Sequence, residues 1–108
     1  MMDYYYITTP IYYVNSKPHL GHVYTTVIAD ILSRFNRLAG KKVFFLTGTD
    51  EHGDKIVETA KKLGTTPDKL ADENSQRFRD LWPLMSITLS RFIRTTEPDH
   101  VRTVQMIL

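Results

Sequence analysis

Two short runs of strand-forming residues flank one long helical repeat, and that spacing admits few folds. Tyr4 to Thr9 is aromatic and β-branched and is stopped by Pro10, which reads as a strand. Val43-Phe44-Phe45-Leu46 is apolar without interruption, the pattern of a strand covered on both faces. Between them, from about His19 to Leu38, the residues Leu20, Tyr24, Val27, Ile31, Phe35 and Leu38 recur at three- and four-residue steps, and Val23, Ile28 and Leu32 widen the stripe. That is the period of a long amphipathic helix. A strand, a crossover helix and a second strand pair in parallel through a right-handed connection, so the expected class is α/β.

The rest of the chain fits the same plan. Gly40 is placed to close the first helix in a left-handed conformation, with Arg37 near the negative end of the helix dipole. The segment Thr47 to Gly53 is too polar to continue the second strand and reads as a loop. A helix is expected from Asp54 to Leu63, ended by Gly64, and another from a Thr66 cap through Pro67 to about Trp82. Leu84 to Leu89 fits no single element. Arg91 to Thr95 is a short strand or an extended segment, and Thr96 with Asp99 has the spacing of a capping box for a last helix. Val104 to Leu108 stops inside an apolar helical run with neither cap nor polar tail, so residues 1–108 read as a truncated part of one domain.

Composition narrows the function classes. At 108 residues there is room for one modest core. Lysine and arginine outnumber aspartate and glutamate by 14 to 12, too few to mark a nucleic-acid or membrane-surface binder. Cysteine is absent, which excludes disulfides, thiolate zinc sites and thiol catalysis within the chain. No signal peptide or membrane span is apparent, and a soluble, cytoplasmic protein is expected.

In an open parallel sheet, ligands bind outside the carboxyl ends of the strands. There the loop after the first strand leads into His19-Leu20-Gly21-His22, and the loop after the second carries Asp50, Glu51 and His52. Three of the four histidines and two carboxylates therefore meet at one edge. The tetrad falls at a helix N-terminus, where free N–H groups and the dipole favour an anion such as phosphate. His19 and His22 can face one side of the first turn, and Gly21 lets a flat ring approach the backbone. Two capping histidines, or a zinc site lacking its second ligand cluster, are the competing readings. Asp50 and Glu51 are compatible with a divalent ion, a ligand ammonium or an internal loop contact. Tyr4, Tyr5 and Tyr6 read as core, whereas Tyr12 and Tyr13 are placed to wall a small apolar pocket. Arg34, Arg37, Lys41 and Lys42 read as a solvated helix end or a nucleic-acid patch. Neither a Walker A sequence nor Gly-x-Gly-x-x-Gly occurs.

Taken together, Pro10-Ile11-Tyr12-Tyr13-Val14-Asn15-Ser16-Lys17-Pro18-His19-Leu20-Gly21-His22 resembles the "HIGH" region of class I aminoacyl-tRNA synthetases in its methionyl form. Phe45 to Gly53 is similar to the second block of that family, and Phe92-Ile93-Arg94-Thr95-Thr96 to a third. Leu89-Ser90 depart from the Tyr-Asp usual before the third block. The resemblance implies the first half of a Rossmann-type nucleotide-binding domain that activates methionine with ATP, as its magnesium complex, and esterifies it to tRNA(Met). It implies that His19 and His22 are catalytic and contact ATP phosphates, that Gly21 lies under the adenine, and that Asn15 belongs to the ATP side. Asp50 would hold the methionine ammonium, with Ile11 and Tyr13 bordering the methionine pocket; no metal ligand is assigned. The second half of the nucleotide fold, the "KMSKS" lysine loop and the zinc-binding cysteines of some members would lie beyond Leu108, which leaves zinc open. A different small nucleotidyltransferase is disfavoured by Thr9-Pro10-Ile11-Tyr12, where a Gly-x-Phe-Asp type loop would stand. The remaining alternative is a non-catalytic binding or scaffold fragment.

Overall fold

Val43 and its apolar neighbours open a nine-residue strand rather than forming a four-residue one. The computed structural model describes residues 2–108 and runs β1 (Tyr4–Thr8), β2 (Tyr12–Tyr13), α1 (Leu20–Leu38), β3 (Lys42–Asp50), α2 (Asp54–Leu63), α3 (Pro67–Leu84), β4 (Arg91–Arg94) and α4 (Pro98–Ile107). Thr47 to Asp50 thus belong to β3 and not to a loop. Their polarity is tolerated because Thr47 and Thr49 are buried with partnered hydroxyls: Thr47 bonds Thr9 at 2.5 Å, and Thr49 donates to Glu51 at 2.6 Å. Gly48 is required there, since a Cβ on it would lie 1.9 Å from the Ile93 carbonyl oxygen.

Every ladder is parallel, as a βαβ order demands. Leu46 pairs with both Thr8 and Arg91, and Thr49 with both Tyr12 and Arg94. Hence β1 and β2 share one edge of β3 and β4 takes the other. Tyr4 lies opposite Lys42 but Tyr12 opposite Thr49, so the offset falls from 42 − 4 = 38 to 49 − 12 = 37. One extra residue is accommodated around Pro10, a bulge between two pieces of one strand.

The helices cover one face of this sheet. Tyr12, Phe78 and Trp82 form one buried cluster, with Val23, Leu81 and Phe92 against it. Val14, Ile56, Ala60, Leu70 and Ala71 form another under α2 and α3. The opposite face is open near β1. Phe44 is half exposed, and Tyr4 and Tyr6 are exposed, so neither the two-sided cover expected for β3 nor the core placement of these tyrosines holds. Side chains alternate along a strand, and this set falls on the uncovered side.

α1 does not pack through its stripe either. Leu20, Phe35 and Leu38 are 81%, 66% and 89% exposed, while Thr26, Ala29, Asp30, Ser33 and Asn36 are buried. The small and polar face fits against the sheet, and charged hydrogen bonds grip the connection between α3 and β4. Asp30 Oδ1 accepts from the Thr88 backbone at 2.8 Å and Oδ2 from Arg34 Nε at 2.7 Å. Burial alone would raise the Asp30 pKa, but the bonds from Thr88 and Arg34 outweigh it and hold the carboxyl below its usual range. Arg34 also donates to the Ser86 carbonyl, and Arg37 to Thr88 Oγ1 and O at 2.6 and 3.0 Å. These two arginines strap α1 to the connection between α3 and β4, and Arg34 stays half exposed to solvent.

The remaining boundaries differ in detail. Gly40 follows the α1 cap at φ 87° as expected. α3 extends past Trp82 to Leu84, and α4 is capped by Glu97 without a side-chain bond. Thr96 is drawn away from capping because its hydroxyl donates to Glu51 at 3.1 Å. Ser90 prolongs the β4 pairing, exchanging two 2.9 Å bonds with the Phe45 backbone.

Candidate functional site

The first turn of α1 is closed by its two histidines. His19 is the N-cap, extended at φ −133° and ψ 178°, and its Nδ1 accepts from the Gly21 backbone N–H at 3.0 Å. His22 Nδ1 accepts from the His19 backbone N–H, also at 3.0 Å. This is a capping box built from imidazoles instead of hydroxyl and carboxylate. It also fixes chemistry. With both Nδ1 atoms accepting, each neutral ring carries its proton on Nε2 and presents that N–H outward as a donor. Burial, and then the neighbouring His19, lower the His22 pKa, so His22 is neutral at pH 7. Capping the helix thus leaves one ring N–H of each histidine free to donate. A Cβ on Gly21 would sit 2.8 Å from His19 Cε1, so the box also requires a residue without a side chain there.

The orientation of His22 is set from below. Its ring meets Tyr12 edge-on at 5.1 Å and Phe78 at 4.8 Å, and those two rings stack 4.8 Å apart. Tyr12 is held in turn by a hydroxyl bond to Thr26. Both tyrosines expected to wall a pocket line a small cavity, and Tyr12 is in addition this buttress.

Two cavities open at the carboxyl end of the sheet and share Tyr13. The larger, about 300 Å³, is lined by Tyr13, Asn15, Asp50, His52 and Lys55. The smaller, about 130 Å³, is lined by Ile11, Tyr12, Tyr13, Gly21, His22 and Thr25. Tyr13 and Asp50 are register partners at the last rung of the β2–β3 ladder. Ile11 therefore lies with His22 and Gly21, and Asn15 with Asp50, each on the other side of Tyr13 from the group the resemblance links it to. Asn15 is carried by a well-anchored loop: its neighbour Val14 is buried, and the Val14 carbonyl accepts from Asn74 Nδ2 at 2.6 Å.

Glu51 leaves the site altogether. Its side chain has 0% exposure and accepts from Arg94 Nε and Nη2 at 2.7 and 2.6 Å. Burial alone would raise its pKa, but the bonds from Arg94 and Thr49 outweigh that and hold it below the usual range. The expected meeting of two carboxylates at the sheet edge thus reduces to Asp50, because consecutive residues point to opposite sides. Arg94, Asn74, Phe78 and Lys55, whose Nζ stands 5.9 Å over the Tyr13 ring, were not legible as site residues. Only the groups they meet in the fold identify them: Glu51 for Arg94, Val14 for Asn74, His22 for Phe78 and Tyr13 for Lys55.

Among the described residues no group of three or more His, Cys, Asp or Glu is disposed to hold a metal ion. The residues do not build a protein cage for magnesium, which ordinarily reaches such sites on substrate phosphates. Among the described residues no helix is long and apolar enough to cross a membrane.

Residues 5–108 match the family model described as tRNA synthetases class I (M). The chain is 54% identical over 101 residues to methionine–tRNA ligase of Thermotoga maritima, covering 94% of this chain and 16% of that relative. It is 55% identical over 103 residues to the Mesorhizobium japonicum ligase, covering 95% and 20%. Among solved structures, Mycobacterium tuberculosis methionyl-tRNA synthetase in complex with methionyl-adenylate superposes with a TM-score of 0.91 at 44% identity. That match covers 94% of this chain and 20% of the other. The chain thus spans about a fifth or less of the length of these relatives.

Proposed function

Because the chain belongs to the class I tRNA synthetases of the methionyl type, we propose that it supplies the histidine half of an ATP and methionine site. The reaction is activation of methionine followed by its transfer to tRNA(Met), in the cytoplasm. The methionine carboxylate attacks the α-phosphorus of ATP, the bond to the β-phosphate oxygen breaks, and pyrophosphate leaves with its electron pair. Magnesium on the nucleotide phosphates supplies charge neutralisation when bound.

The observation that carries this reading is the imidazole capping box beside Tyr13 and Asp50. Nε2–H of His19 and His22, at the positive end of the α1 dipole, suits negative charge building on the α-phosphate oxygens. Gly21 leaves room for a flat adenine near the backbone, and Asn15, although it lines the Asp50 cavity, is assigned to the nucleotide side by the family resemblance. Asp50 accepts from the methionine ammonium, while Tyr13, shared by both cavities, and Ile11, on the His22 side of it, provide apolar wall for the thioether. The similarity to a structure holding methionyl-adenylate supports the pairing of these two subsites.

Titration of the 108-residue chain with ATP and with methionine, followed by NMR, tests the reading. Weak binding of both is expected, with shifts at His19, His22 and Gly21 for ATP and at Tyr13 and Asp50 for methionine. Methionine-dependent pyrophosphate exchange should be far below that of a full-length ligase. A chain that binds neither ligand would be the non-catalytic fragment instead.

A further inference from the structure

The reaction above gives Glu51 and Arg94 no role, yet they form the most elaborate polar contact next to the site. Arg94 of β4 donates through two nitrogens to the two Glu51 carboxylate oxygens at 2.7 and 2.6 Å. Thr49 and Thr96 add hydroxyl bonds at 2.6 and 3.1 Å. The Glu51 backbone N–H donates to Thr95 Oγ1 at 2.9 Å. Arg94 is itself tied to Asp72 of α3 at 2.7 Å. The peptide linking Asp50 to Glu51 is therefore clamped from β3, β4 and the turn after β4, with α3 behind.

Asp50 ends β3, and nothing beyond it continues the ladder with β2. Its carboxylate direction depends on the torsions of that last residue, and the clamp on Glu51 fixes the far side of the peptide. A planar guanidinium fork holds a carboxylate in orientation as well as distance, which an ammonium or an apolar pair would not. Simple adhesion does not call for a buried charge, since apolar residues of equal volume often stabilise as well.

We propose that the Glu51–Arg94 pair is a positioning device that aims Asp50 at the substrate ammonium, an inference that rests on the reading of Asp50 given above. Arg94 touches no substrate; it acts through Glu51 and the shared peptide.

The test compares two ligands on the 108-residue chain by NMR titration: methionine, and 4-(methylthio)butanoate, which is methionine without its ammonium group. Arg94→Lys keeps the charge and loses the fork. It should weaken methionine at least about tenfold and leave the deaminated ligand within about twofold. In an Asp50→Asn background the same change should have no further effect on methionine. Equal weakening of both ligands, or full additivity with Asp50→Asn, would make the pair mere structural support and overturn the proposal. Should Arg94→Lys fail to fold by thermal melt, Glu51→Gln carries the same comparison. A parent chain that does not distinguish the two ligands defeats the ammonium reading of Asp50, and the clamp with it. A parent that does distinguish them, with a variant that does so equally well, defeats the clamp alone.

Discussion

The backbone N–H of His19 donates to Nδ1 of His22 at 3.0 Å, so each ring's free N–H is set by the bonds that close the helix. Replacing either residue by alanine removes an aimed donor and opens the cap. In a full-length ligase carrying this segment, adenylate formation should fall roughly 100- to 1,000-fold for each. Methionine affinity should change little, because in the proposed reaction the donors act on charge that develops in the transition state. Single-turnover rates and equilibrium binding measure the two separately, and a collapse of methionine affinity at preserved rate would place the histidines in the wrong subsite.

Burial of His22, and then its neighbour His19, make the fold pH-sensitive. Protonation of His22 puts a hydrogen on the atom that accepts from His19, and its pKa is lowered in the folded state. The unfolded chain then binds the proton more readily, so stability is present above the ordinary histidine value of about 6.5 and is lost as pH falls through the folded value. Urea midpoints should drop between pH 7.5 and 5.0, and the drop should shrink in His22→Asn. Asp30 and Glu51, both with depressed pKa values, lose their contributions only at lower pH, below about 4.

Asp50→Asn tests anchoring against selection. An ammonium contact is common to every amino acid, whereas the thioether is distinguished by apolar fit worth about 1–3 kcal/mol. Pyrophosphate exchange in the full-length ligase should weaken by a similar factor for methionine, leucine and isoleucine, leaving the order of preference nearly intact. A loss confined to methionine would move Asp50 into the side-chain pocket.

Gly48→Ala should be among the most damaging small changes. Its Cβ would fall 1.9 Å from a backbone oxygen of β4, which no side-chain rotation relieves. Overpacking of this kind costs about 3 kcal/mol or more. Equilibrium urea unfolding would record it, and a cost below about 1 kcal/mol would mean that β4 can step aside.

Phe78→Ala removes a fully buried ring that also backs His22. A cost of about 3–5 kcal/mol is expected, and Phe78→Leu should restore most of the stability. If the ring also orients His22, the leucine variant will still react more slowly, with unchanged methionine binding. Recovery of rate along with stability would leave Phe78 a purely structural residue.

The βαβ plan, the helix at Asp54 to Leu63 and the histidine turn were readable because each has a local cause: period, glycine stop or cap. The end of β3 was not. Thr47 to Asp50 look like a loop until Ser75, Thr9 and Glu51 supply partners for their hydroxyls, and those lie 26, 38 and 2 residues away from the groups they bond. α1 misled in a more instructive way. Its period gave the helix, but which face turns inward was decided by Asp30, Arg34 and Arg37 reaching Thr88 and Ser86, contacts with no local signature. Tyr4 and Tyr6 likewise looked like core because aromatic residues usually are; only the sheet topology shows that their side is left uncovered.

The extra residue near Pro10 turns counting into function. Were β1 and β2 one unbroken strand, Tyr12 would share the side of Tyr4 and Tyr6, and Tyr13 would point in among the helices. The bulge reverses that parity, sending Tyr12 down onto Phe78 and leaving Tyr13 beside Asp50. The number of residues from 9 to 11 thus matters alongside their identity, such as the Thr9 hydroxyl that bonds Thr47. Losing or gaining one residue in this stretch would swap buttress and wall in a single event and scramble both cavities together. A connector of three residues thus sets which side each tyrosine of β2 faces.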